Sequence, residues 1–264
     1  MCDARIRRLR RSTAFARGAV AALAGLVLAP GCGGAPKPDE RPIRVAALPV
    51  HTGGIAAAQA AYVLPVPFEA AAARIGAWAD LVEAQAGTVF VRQIGPDDDP
   101  ATVLRDAFAK TGAPPEEAAA ALASWQQGVR ERFRETHALL GEAWKHTPPG
   151  IGVLVGDPGS ALGVVVFTSG GRTFLALADI RRSAGAAEAW LVEIDFHVSG
   201  EYAAGMNVYH LAAGEPPVLT VQLYSWIRQV EGVFGAIARG VAEHELGAQA
   251  EATWREVAEY LARP

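Results

Sequence analysis

The spacing of apolar residues changes along the chain and separates helical from extended stretches. Residues 43–50 (IRVAALPV) and 62–66 (YVLPV) are short apolar runs. Pro49 and Pro65 confine them to edge strands or irregular paths, because proline lacks the amide donor that a central strand needs. The spacing then predicts a helix over 67–86, with Phe68, Ala71, Ile75, Trp78 and Val82 three and four residues apart on one face. Residues 88–94 read as a short strand. A helix follows over 101–110, capped by Asp99 or a neighbouring carboxylate and ended by Thr111-Gly112. Pro114 and Pro115 open the longest predicted helix, to His146, whose stripe is Leu122, Trp125, Val129, Phe133, Leu140 and Trp144.

Beyond Thr147-Pro148-Pro149-Gly150 the period becomes that of strands. Residues 151–155, 161–168, 173–180, 189–199, 206–212 and 218–224 are predicted strands, separated by turn sequences such as DPGS, SGGR, SGE and AGEPP. In Ser169-Gly170-Gly171-Arg172 two glycines accept the positive φ angles of a two-residue hairpin, which pairs Phe167 with Phe174 and Val166 with Leu175. These two strands are apolar on both faces, so the sheet must be covered on both sides or strongly curled. Trp226, Ile227, Val230, Val233, Phe234, Ile237 and Val241 mark another helix, and Trp254, Val257 and Leu261 a last one. Helices, then an antiparallel meander over about 151–224, then helices make an α+β arrangement, in which amphipathic helices from both ends of the chain cover the sheet.

Composition bears on class and compartment. With 51% hydrophobic and 20% charged residues in 264, the chain is an ordinary globular candidate, and disorder is excluded for most of it. The charge is unevenly spread. Six of the 24 basic residues and one of the 28 acidic ones lie in the first 31 positions; the remaining 18 and 27 give the rest a formal charge of −9. So acidic a body argues against nucleic acid as a partner, since phosphate neutralisation needs a basic face. Both cysteines, Cys2 and Cys32, lie in or at the edge of this leader, so the body has neither an internal disulfide nor thiol chemistry.

The leader is arginine-rich to Arg17, then uncharged over the 13 residues GAVAALAGLVLAP. That run is shorter than the roughly 20 residues of a membrane-spanning helix and fits the core of a signal peptide. Ending in Gly31-Cys32, it resembles the bacterial lipoprotein signal. The resemblance covers residues 1–32 and implies that the leader is cut before Cys32 and the cysteine is fatty-acylated, holding the protein to a membrane. An ordinary secretory signal cleaved nearby and an uncleaved anchor remain alternatives. Cys32 is followed by GGAPKPDERP, a glycine, proline and charged segment that reads as a tether. The organisation expected is therefore a signal peptide at 1–31, a tether at 32–42 and one α+β domain at 43–264. With Gly33 after the cysteine, the resemblance implies the outer membrane in an organism that has two.

The most suggestive chemistry lies in WLVEIDFHVS. Alternation puts Glu193, Asp195, His197 and Ser199 on one face and Val192, Ile194, Phe196 and Val198 on the other. By itself this pattern describes a half-exposed strand with its polar face in water. An acid two positions from a histidine also suits two ligands of one metal ion, here Asp195 and His197, or a carboxylate orienting a general base. Because the neighbouring strands are less polar, the same face also suits the floor of a pocket, with Tyr209, His210, Gln222 and Tyr224 as further candidates.

Other motifs are weaker. His244-Glu245 lacks the second histidine of the zinc-protease motif, position 248 being alanine. Glu142 and His146 are four apart on the long predicted helix, as surface pairs often are, and His137 is no more distinctive. Ser160 lacks the G-x-S-x-G context of a serine hydrolase, VGDPGS lacks the lysine of a phosphate loop, and His51 stands in a turn sequence. No cofactor is implied. The expectation is a lipid-anchored envelope protein with a non-catalytic domain that binds a small ligand or an envelope partner. The alternatives are a metal-assisted or acid–base hydrolase using Glu193, Asp195 and His197, and a surface toxin or immunity protein.

Overall fold

Strands joined by tight turns pair most readily with their chain neighbours, and this builds most of the sheet. The computed structural model describes residues 44–47, 55–95, 97–112, 161–169, 172–198, 202–227 and 250–263. The strands described are β1 (Arg44–Ala47), β2 (Ile55–Val63), β3 (Thr88–Ile94), β4 (Ala161–Ser169), β5 (Arg172–Ala184), β6 (Glu188–Val198), β7 (Tyr202–Ala212) and β8 (Val218–Ile227). They form one antiparallel sheet in the order β1-β2-β8-β7-β6-β5-β4-β3. With helices α1 (Phe68–Ile75), α2 (Trp78–Glu83), α3 (Pro100–Thr111) and α4 (residues 250–261), the class is α+β.

The hairpin register follows the sequence reading, with Phe167 opposite Phe174 and Val166 opposite Leu175. The two phenyl rings stack with centroids 5.4 Å apart. Asp99 caps α3 by accepting from the amides of Ala101 and Thr102, and Gly112 ends it at φ 62°.

Three elements differ from expectation. The sheet is not confined to the later half of the chain, because β2 pairs with β8 and β3 with β4. The β2 segment IAAAQAAYV begins upstream of the stretch whose spacing looked extended; its alanines favour helix locally, and the strand exists because it fills the ladder between β1 and β8. The helix expected over 67–86 is two helices, because Ala77 leaves helical geometry at φ −90°, ψ 70°. The carbonyl of Gly76 at the break accepts a hydrogen bond from Arg182 Nη1 at 2.6 Å. Trp226 and Ile227 extend β8 rather than opening a helix. The helix expected over 114–146, the strand at 151–155 and the rest of the helix after Ile227 lie outside the described residues.

Both faces of the sheet are buried. On the face called inner here, Tyr62, Ile180, Leu191, Tyr209, Leu211 and Val221 share one apolar cluster with Phe68 and Ile75 of α1, Trp78 and Leu81 of α2, and Trp254, Val257 and Leu261 of α4. On the outer face, Val164, Val166, Leu175, Leu177 and Phe196 pack with Val103, Leu104, Ala107 and Phe108 of α3. Arg74 Nη1 donates to the carbonyl of Leu261 at 3.0 Å, tying α1 to the end of α4. No helix among the described residues is long and apolar enough to cross a membrane.

Candidate functional site

The alternation of β6 survives as far as Asp195, and it points the polar side inward. Leu191 and Ala189 belong to the inner cluster, so Glu193 and Asp195, two and four residues further on, share that face. Glu193 is 5% exposed, which replaces the expected water-facing carboxylate with a buried one. Opposite it stand Ile180 and Asn207, and Asn207 Nδ2 donates to Glu193 Oε2 at 3.3 Å.

Asp195 stands in a row of small residues. Register places Ala178 and then Gly163 on one side of it, Gly205 and then Ser225 on the other. Gly163 leaves room for Trp78, since a Cβ there would lie 2.2 Å from the indole ring. The helix break before Trp78 thus directs its ring onto the inner face. Asp195 remains partly accessible, yet its Oδ1 is sealed from solvent without a hydrogen-bond partner. Trp78 Nε1 and Gln85 Nε2 are likewise buried and unpartnered by ordinary hydrogen-bond geometry.

Electrostatics follow from this burial. Loss of hydration pushes the Glu193 carboxyl up to about 7, against the opposing pull of Asn207 and of the nearby Trp78 indole. Asp195 is held well above the carboxylate range, first by burial and then by repulsion from Glu193. Burial also raises the Tyr209 phenol, again with Glu193 contributing. The pair therefore resists carrying two negative charges, and it keeps a proton under conditions where exposed acids have lost theirs.

The remaining sequence candidates divide by register. Tyr209, opposite Leu191, shares the inner face. His197 lies opposite Leu177 while Asp195 lies opposite Ala178, so an irregularity at Phe196 interrupts the alternation that was to join them. Leu177 belongs to the outer cluster and Ala178 to the inner one.

His210, Gln222 and Tyr224 do not join the carboxylates, because their ladder positions alternate with the inner-face Tyr209, Val221 and Leu223. His210 stacks on Trp190 at 3.6 Å between ring centroids and sits 3.3 Å from Glu188 Oε2, and burial lowers its pKa. Tyr224 donates to Gln222, which donates to Gln59, each at 3.4 Å. Cys32, His51, His137, Glu142, His146, Ser160, Ser199, His244 and Glu245 lie outside the described residues.

Trp78, Gln85 and Asn207 escaped the sequence reading. Trp78 read as core on a helix stripe, and only a glycine inside an apolar strand, Gly163, signalled a close approach. Among the described residues no group of three or more His, Cys, Asp or Glu side chains is placed to hold a metal ion.

No protein-family model matches the chain, and no curated protein does. Among solved structures, the crystal structure of Ara h 8.0201 is similar at a TM-score of 0.36 and 10% sequence identity, over 79% of this chain and 98% of that one.

Proposed function

We propose that this chain is a cell-envelope protein, lipid-anchored through Cys32, whose α+β domain binds a small ligand on the inner face of its sheet without transforming it. In this reading the helices from both ends of the chain complete the cover of the sheet and close over the ligand. One observation carries the binding role: Asp195 Oδ1 is buried without a hydrogen-bond partner, beside the buried Glu193. Such an atom costs about 1–3 kcal/mol when left unsatisfied, which a ligand's polar group would offset. The address rests on the resemblance of residues 1–32 to a lipoprotein signal and on the tether after it.

A second reading is favoured by two neighbouring acids whose pKa values are both displaced upward. Acid–base catalysis uses such pairs, one proton donor beside one acceptor. Hydrolysis with Glu193, Asp195 and His197 would then be the activity.

Mass spectrometry of the full-length protein from its native membrane tests the first reading. The expected species begins at Cys32, carries diacylglyceryl and fatty-acyl groups that Cys32→Ser lacks, and under native conditions retains a small molecule lost in Asp195→Asn. An unacylated product beginning elsewhere overturns the address, and a wild-type protein free of any small molecule overturns the binding role.

A further inference from the structure

A buried acid ordinarily has a basic partner, and the inner-face pair has none among the described residues. No basic side chain contributes to the electrostatics of Glu193 or Asp195 there; the influences on them are burial, Asn207, Trp78 and each other. The donor from Asn207 reaches Glu193 alone, leaving Asp195 Oδ1 unpartnered. On both sides of Asp195 the sheet carries Ala178 and Gly205 in place of bulky side chains. Beyond Ala178, the Trp78 ring over Gly163 supplies an aromatic wall, its residue only 1% exposed.

From this arrangement we infer that Glu193 and Asp195 receive the ammonium head of a small organic amine whose apolar body lies against Trp78 and the row of small residues. The inference rests on the ligand-binding reading and gives that ligand its chemical class. A positive charge between the two acids removes their mutual repulsion and supplies a hydrogen-bond donor to Asp195 Oδ1. An anionic head would meet Glu193 as a like charge, and a neutral head would leave the repulsion in place. Binding a cation there expels a proton from the pair, so affinity rises with pH across the range in which Glu193 titrates.

Calorimetric titration of the full chain in neutral detergent, with 2-phenylethylammonium and its neutral counterpart 2-phenylethanol as probes, tests this. The amine is expected to bind about tenfold or more tightly than the alcohol, a difference of about 1.4 kcal/mol. Its affinity should be higher at about pH 8 than at about pH 5.5, with net proton release on binding. Asp195→Asn should erase the advantage of the amine and leave the alcohol unchanged. Equal binding of both probes, insensitive to Asp195→Asn, overturns the inference and leaves the ligand-binding reading intact. Binding of neither probe overturns the inference and counts against that reading as well.

Discussion

Asp179 and Asp195 are acids on adjacent strands of one sheet, and the fold treats them oppositely. Asp179, on the outer face, is wholly buried and accepts from Arg181 Nε at 3.0 Å, two residues along the same strand. That spacing places both on one side, so β5 carries its own counter-charge. Asp195, on the inner face, has another acid beside it and no basic partner among the described residues, and it holds its proton instead. Asp179 is neutralised by its own element, whereas among the described residues no basic side chain compensates the inner pair. Burial alone does not mark a site; burial without compensation does.

Removing the compensation should have the largest effect. Arg181→Met removes the ion pair of the buried Asp179 and is expected to destabilise the protein by about 3–5 kcal/mol in urea unfolding. A loss near zero would mean that Asp179 draws its compensation from elsewhere than Arg181.

Closing the space on the inner face should come next. Gly163→Val places carbon where the Trp78 ring now lies, so a loss of about 1–3 kcal/mol and a changed tryptophan emission are expected. Unaltered emission and stability would show that the ring is not seated there. Smallest, and opposite in sign, is the effect of Asp195→Asn. Exchanging an uncompensated acid for a neutral isostere should raise stability by about 1 kcal/mol near neutral pH.

The sequence was readable where local chemistry decides. Asp99 and Gly112 bound α3 through capping and a left-handed φ, and the glycines after Ser169 fix the register of β4 with β5. It misled where partners distant in the chain decide. Nothing in IAAAQAAYV announces a strand; the ladders of β1 and β8 create it.

The face of β6 was legible from alternation, but its direction was not. Period-two patterning says which residues stand together and not whether water or helices lie above them. The irregularity at Phe196 interrupts the alternation between Asp195 and His197, because a single extra residue resets the pattern. Asn207 and Trp78 could not be assigned to the carboxylates without the register of β7 and the break at Ala77.

The most direct measurement is the pH dependence of unfolding free energy for the wild type against Glu193→Gln. In the unfolded chain Glu193 titrates near its ordinary 4.5, and in the fold it titrates near 7. Between those values the folded protein keeps a proton that the unfolded chain has released. Stability from this group is therefore fully present below the lower value and is lost as pH rises through the upper one. The wild type should lose about 2–4 kcal/mol relative to Glu193→Gln across that window, and no more above it. Parallel profiles for the two proteins would contradict the account, because they would mean that Glu193 is either solvated or already paired with a positive charge.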